Sequence, residues 1–211
     1  MEQDNEVIED CCKLLLDNDK LPVIVKLLEK YRRWSEDYWD AQTKAFHVCA
    51  RLGLDKVLEY ILYEEKFRGY GPNIKDTDEN TPLAVAAIFG KVNVVRVLLD
   101  SGRIDVGSIN ARKLTPLHEA AIHGHEKVVE LLVKTGKVDP DLKDEKGLTA
   151  LYWAARHGYG EVVVKLLLKT GKVDPDLKDE KGHTPLYWAA RYGLGEVVEL
   201  LSLITHPNID I

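Results

Sequence analysis

The chain has 211 residues, 45% hydrophobic and 30% charged, enough for one sizeable domain or a short array with a packed core and unlike a disordered chain. A net charge of −6 and a pI near 5.7 speak against a sequence-independent nucleic-acid binder, which needs a basic stripe. The three cysteines (Cys11, Cys12 and Cys49) are odd in number and lack a Cys-x-x-Cys partner, so disulfide scaffolds and zinc ribbons are disfavoured and a reducing compartment is expected. The opening M-E-Q-D-N-E-V-I-E-D has no apolar stretch of a secretory signal, and no run approaches the length of a membrane span. Cytoplasm is the expected location, with the nucleus as the alternative.

Residues 1–39 read as a divergent N-terminal helical cap. Val7–Leu16 and Leu21–Tyr31 have helical apolar spacing, and Trp34–Trp39 joins them to the remainder of the chain. From residue 40 to 211 the chain is an array, with units near 40–75, 76–109, 110–143, 144–178 and 179–211. A glycine anchors each unit: Gly53, Gly90, Gly124, Gly158 and Gly193, at intervals of 37, 34, 34 and 35. A short helix precedes each glycine and an apolar helix comes after it, such as Val128-Val129-Glu130-Leu131-Leu132. Glycine suits the left-handed turn between two antiparallel helices. In the first unit Phe46–Leu52 and Leu54–Tyr63 take these places, and Glu64–Asn80 forms a longer connection.

Alanine pairs (Ala86-Ala87, Ala120-Ala121, Ala154-Ala155, Ala189-Ala190) let first helices of adjacent units approach closely. Thr81-Pro82, Thr115-Pro116 and Thr184-Pro185 each predict a capping threonine followed by a proline that needs no donor. Thr149-Ala150 departs at the proline. The fourteen residues K-T-G-K-V-D-P-D-L-K-D-E-K-G occur twice without change, beginning at Lys134 and, 35 residues on, at Lys169. That period marks stacked helical repeats, in which neighbours bury each other's apolar faces. The segment Glu161–Leu167 carries one valine more than Glu126–Leu132, so a local distortion is expected near Val162–Val164. Pro207 stops the last helix, and the tail to Ile211 resembles the start of another unit.

The string Thr115-Pro116-Leu117-His118-Glu119-Ala120-Ala121, followed by Gly124-His125, Val128-Val129 and Leu131-Leu132, resembles the ankyrin repeat. The resemblance is strong from about Asp76 to Leu201. It implies an all-α fold, an ankyrin-repeat solenoid of stacked helix pairs with β-hairpin finger loops. The W-A-A-R and V-D-P-D-L-K-D-E-K-G copies look like fungal ankyrin arrays. Gly147 and Gly182 supply the glycine that the family places before the first helix. Glu79 and Lys113 replace it in earlier units, which predicts some strain or a reshaped turn there. The resemblance also implies that His118 and His47 bond the backbone of a neighbouring finger. Tyr152 and Tyr187 stand at that position later and could do so through their hydroxyls.

The same resemblance implies a concave groove lined by first helices. Its exposed positions are Val48, Arg51 and Leu52, then Val85, Ile88 and Phe89, then Glu119, Ile122 and His123. Two further trios complete it: Trp153, Arg156 and His157, and Trp188, Arg191 and Tyr192. Residues three and four apart share a helix face. Trp153 is therefore expected to stack over Trp188 and Arg156 over Arg191, at about 10 Å between neighbouring helices. Trp, Tyr and Arg are the residues most enriched in binding hot spots.

The expected function is protein–protein recognition through this aromatic and arginine-lined groove, with a protein or peptide partner, acidic or phosphorylated where the arginines read it. Two alternatives stand beside it. One is a small-molecule or catalytic site using Glu119, His123, His157 and Arg156, in a closed apolar concavity roofed by Glu64–Asn80. The other is a structural arm of a larger assembly. No cofactor motif appears. His118-Glu119 fails the H-E-x-x-H zinc pattern because Ile122 stands where the second histidine is needed, so no metal site is expected. Glu119 and His123 read as an exposed surface pair, and the acidic fingers Asp139–Asp144 and their copy as solvated tips.

Overall fold

The computed structural model describes residues 41–63, 71–157 and 160–205. The expected cap (1–39), part of the long connection, Gly158 and the tail lie outside these residues. Ten helices occur among the described residues, in five pairs. They are α1 (Ala41–Leu52) with α2 (Asp55–Tyr63), α3 (Pro82–Ile88) with α4 (Val92–Asp100), and α5 (Pro116–Ile122) with α6 (Glu126–Lys134). Then come α7 (Ala150–His157) with α8 (Gly160–Leu168), and α9 (Pro185–Arg191) with α10 (Gly195–Thr205). None is long and apolar enough to cross a membrane. No strand forms among the described residues, so the fingers expected as hairpins are turns.

The described residues fall into two compact units. The first runs to Ala86 and takes in Lys91–Asp105; the second comprises Ala87–Gly90 and everything from Val106 on. In the first unit α1 packs on α2, and both pack on α4. Phe46, Cys49 and Ala50 of α1, Val57, Leu58 and Ile61 of α2, and Val94, Val95 and Leu98 of α4 form its core. In the second unit α5, α7 and α9 pack in sequence, as do α6, α8 and α10. Leu117, Ala120 and Ala121 recur as Leu151, Ala154 and Ala155, and Val128, Val129 and Leu132 recur as Val163, Val164 and Leu167, all fully buried. Each leucine removed from water contributes about 1.5–3 kcal/mol. Cys49 takes the place of the first alanine of the pair, where only a small side chain fits between helices.

The helix starts are set by the threonines. The hydroxyls of Thr81, Thr115, Thr149 and Thr184 accept the amides of Ala84, His118, Tyr152 and Tyr187, so Thr149 caps its helix without a proline. The inter-helix glycines Gly53, Gly90, Gly124 and Gly193 hold φ between 63° and 83°. Gly90 is constrained further, because a Cβ there would come within 2.6 Å of the His125 ring. The His125 imidazole, in turn, bonds the Ile88 carbonyl at 3.0 Å.

The extra valine does not distort its helix. Residues Gly160–Leu168 form continuous α-helix, and the buried stripe begins at Val163, five residues after Gly158. In α6 the stripe begins at Val128, four residues after Gly124. Relative to the inter-helix glycine, the buried stripe of α8 thus starts one residue later than that of α6.

Candidate functional site

Each first helix is preceded by one turn built four times on the same plan. Asp76, Asn110, Asp144 and Asp179 open it. Through Oδ1 each accepts the amides two and four residues on, at 2.7–3.0 Å. The amide of each also donates to the carbonyl four residues later, at 2.9–3.0 Å. The fourth residue of the turn must take positive φ. Gly147 and Gly182 do so freely, at 74° and 81°, whereas Glu79 and Lys113 are forced to 61° and 57°. Asp144 is thus no solvated tip: it is 6% exposed and holds the turn. Asp141 also has a partner, since its carboxylate accepts the Asp174 amide of the next repeat at 2.9 Å.

These turns reach across to the adjoining first helix. The Trp153 Nε1–H donates to Asp144 Oδ2 at 3.0 Å, and the Trp188 Nε1–H to Asp179 Oδ2 at 3.1 Å. One repeat earlier the polarity is reversed: the Asn110 amide donates to Glu119 Oε1 at 3.0 Å. Sequence reasoning missed this relation. Its signal was a donor facing an acceptor nine residues apart, in three successive repeats.

Glu119 therefore stands otherwise than expected. Its position was to be exposed, yet it is 1% exposed, because the Asn110 turn folds over it. Val85 at the equivalent place of α3 is buried as well. Burial raises the Glu119 pKa above its usual value, and the Arg112 guanidinium, 3.4 Å away, works in the other direction. His123 lies 3.9 Å from the other Glu119 oxygen, on the exposed side, and stacks on His125 at 6.0 Å. Desolvation, then His125, His157 and Arg112, lower its pKa. Ile122 is half-buried beside them.

His118 has a structural role, as the resemblance implied. Its Nδ1 accepts the Thr115 amide at 3.2 Å, so Nε2 carries the proton and donates to the Leu148 carbonyl at 3.2 Å. Burial holds its pKa below 6.5. In the first unit His47 bonds the Asn80 carbonyl at 2.9 Å. The tyrosines differ: the Tyr187 hydroxyl accepts from Arg191 at 3.2 Å, and the Tyr152 ring packs edge-on against Trp153 and Trp188.

The last two repeats bring six of the expected site residues together. The Trp153 ring stacks on His157 at 5.6 Å, and the Trp188 ring on Tyr192 at 5.8 Å. The Arg156 guanidinium lies over Trp153 at 5.3 Å and also over Tyr192 of the next repeat at 5.8 Å. Arg191 lies over Trp188 at 5.5 Å. Ring contacts between the repeats include Arg156 on Tyr192 and Tyr152 on Trp188, while each indole is tied to its own turn by its N–H. Neither arginine forms an ion pair with a carboxylate among the described residues, whereas Arg112 does. Arg156 is half-buried, and Arg191, His157 and Tyr192 are exposed. Arg51 is exposed at the end of α1 in the first unit; Phe89, 43% exposed, comes directly after α3 in the second.

A surface depression of about 360 Å³ lies elsewhere in the second unit, between α6 and α8. Val133, Pro140, Leu166, Lys169 and Lys172 are among its lining, and none of Glu119, His123, Arg156 or His157 is.

Helix pairs at a 34–35-residue period, capped by Thr-Pro and stacked through alanine pairs, define a helical-repeat protein. The family model described as ankyrin repeats (3 copies) matches residues 46–144 and 135–211, and the chain belongs to the ankyrin-repeat family. No curated protein matches it. Ankyrin repeats are in general protein–protein interaction modules.

Proposed function

We propose that this chain binds an acidic segment of a protein partner through the surface formed by α7 and α9. The observation that carries the reading is the pair Arg156 and Arg191. Both guanidiniums rest on aromatic rings, and no carboxylate of the described residues pairs with them. Stacking occupies the face of a guanidinium and leaves N–H donors at its edge for an anion. It also fixes the side chain beforehand, which lowers the ordering cost of binding. Tyr192 and Trp188 add aromatic area beside the charges, the composition of interface hot spots.

The tryptophans are poor probes of this reading, because each also holds a turn through its N–H. The test uses Arg156→Gln/Arg191→Gln in an affinity capture from lysate, read by mass spectrometry, with circular dichroism as the control for folding. Partners held by the wild type and lost by the double variant support the reading. Partners held equally by both sink it.

A further inference from the structure

We infer that the outer face of the last repeat, α9 with α10, is a self-association surface that pairs two copies of this chain about a two-fold axis. The inference stands apart from the partner reading above. It starts from what each repeat does for the one before it. Leu117, Ala121 and Val129 in one repeat, and Leu151, Ala155 and Val164 in the next, are fully buried. In each case the following repeat lies alongside: α7 packs on α5 and α9 on α7, while α8 packs on α6 and α10 on α8. The same positions of the last repeat are Leu186, Ala190 and Val198. None of them is buried: Ala190 is exposed, and the other two are half-buried. Tyr187 shows the same contrast, at 40% exposed against 4% for Tyr152 one repeat earlier.

A solenoid end stays soluble by carrying a polar outer face. This end departs from that rule. Leu203 and Ile204, 68% and 43% exposed, stand where Lys134-Thr135 and Lys169-Thr170 close the second helices of earlier repeats. The last repeat thus adds apolar surface at the place where its predecessors are polar. Uncovered apolar surface of this kind marks an interaction site.

The form of the face selects the occupant. The upstream sides of α7 and α9 already pack against α5 and α7. The last repeats of two copies therefore meet through the same downstream face, and the contact is isologous. Such a face must fit itself. On this side α9 carries a large residue, Tyr187, and a small one, Ala190, one turn apart. Antiparallel pairing of two α9 helices sets each Tyr187 against Ala190 of the other copy. Leu186, Tyr187, Ala190 and Val198 are all uncharged, so no residue at the centre repels its own counterpart. Trp188 and Tyr192, four apart, share the next side of α9, and the pairing leaves them open to a partner.

The test is the mass of the full 211-residue chain in solution, by sedimentation equilibrium. Protein concentration is varied from about 1 to about 200 µM, and the wild type is expected to pass from monomer to dimer across that range. Ala190→Tyr sets bulk against bulk and should weaken the dimer about tenfold or more. Adding Tyr187→Ala in the same chain reopens the space and should restore most of the loss. Ala190 is exposed, so circular dichroism should report one fold for all three proteins. A wild type that stays monomeric over the whole range overturns the inference, and so does a mass beyond the dimer. A dimer that Ala190→Tyr leaves intact, or a double variant no tighter than Ala190→Tyr, overturns it as well.

Discussion

Lys113 holds backbone that two later repeats assign to glycine, and relieving it should stabilise the fold. At φ 57° a residue with a Cβ sits in the left-handed region, which costs about 1–2 kcal/mol. Lys113→Gly removes that strain but adds about 0.5–1 kcal/mol of chain entropy to be lost on folding. The net expectation is a gain of about 0.5–1 kcal/mol, or about 2–4 °C per kcal/mol in a chain of this size. Lys113 is exposed, so its side chain contributes little on its own. Lys113→Ala keeps the strain and should leave stability unchanged. The mirror experiment is Gly182→Ala. A Cβ there meets nothing within 4 Å, so its cost, about 1 kcal/mol, is conformational alone. Urea unfolding followed by far-UV circular dichroism checks all three, with a constant m-value confirming that the same transition is compared. If Lys113→Gly is no more stable than Lys113→Ala, the strain at positive φ does not exceed the added chain entropy and the reasoning fails.

Trp153→Phe keeps an aromatic ring but leaves Asp144 Oδ2 without its donor; a loss of about 1–3 kcal/mol is expected in thermal melts, and Asp144→Asn in that background should recover part of it. Glu119 has a folded pKa raised above 4.5, so between 4.5 and that value the folded state holds more protons, and its contribution to stability falls as pH rises through this window. Glu119→Gln should therefore be relatively more stable at pH 7.5 than at pH 4, with Arg112 free to turn to water; denaturation at both pH values measures it, and an unchanged difference counts against burial as the cause. His118 has the opposite sign. Its folded pKa is below 6.5, so as pH falls beneath 6.5 the unfolded chain takes the proton first and stability drops. His118→Gln should flatten that part of the stability–pH profile, although its absolute stability is lower. Gly90→Ala should cost more than Gly182→Ala because its Cβ would meet the His125 ring, and His125→Ala should recover the excess; additive losses in the double variant would show that the ring yields without cost.

Much of the fold was legible because its signals are local. The period, the capping threonines, the proline at the first helical position and the alanine pairs each act within a few residues of themselves. So does the conformation of the turn where Glu79 and Lys113 replace glycine: of strain or a reshaped turn, the backbone shows strain, with both residues at positive φ. The role of His118 came from the family resemblance, and Leu148 accepts from it as that role requires. The valine insertion went differently: Gly160–Leu168 stay continuous α-helix, and the buried stripe begins one residue later.

The surface chemistry of α5, α7 and α9 was another matter. Helical spacing says which residues share a face, and it correctly put Trp153 with Arg156 and Trp188 with Arg191. It does not say how deep a residue lies. Glu119 and Trp153 hold the same helical position, yet one is buried under the Asn110 turn and the other lies half-buried, tied to Asp144. Likewise no periodicity predicts that Arg156 reaches Tyr192, since that contact joins two repeats. Sequence alone determined the repeat, its caps and its strained turns, because these depend on backbone and neighbours along the chain. Tertiary structure alone decided which carboxylate is buried and which guanidinium rests between rings, because both depend on where a separate turn or helix comes to lie.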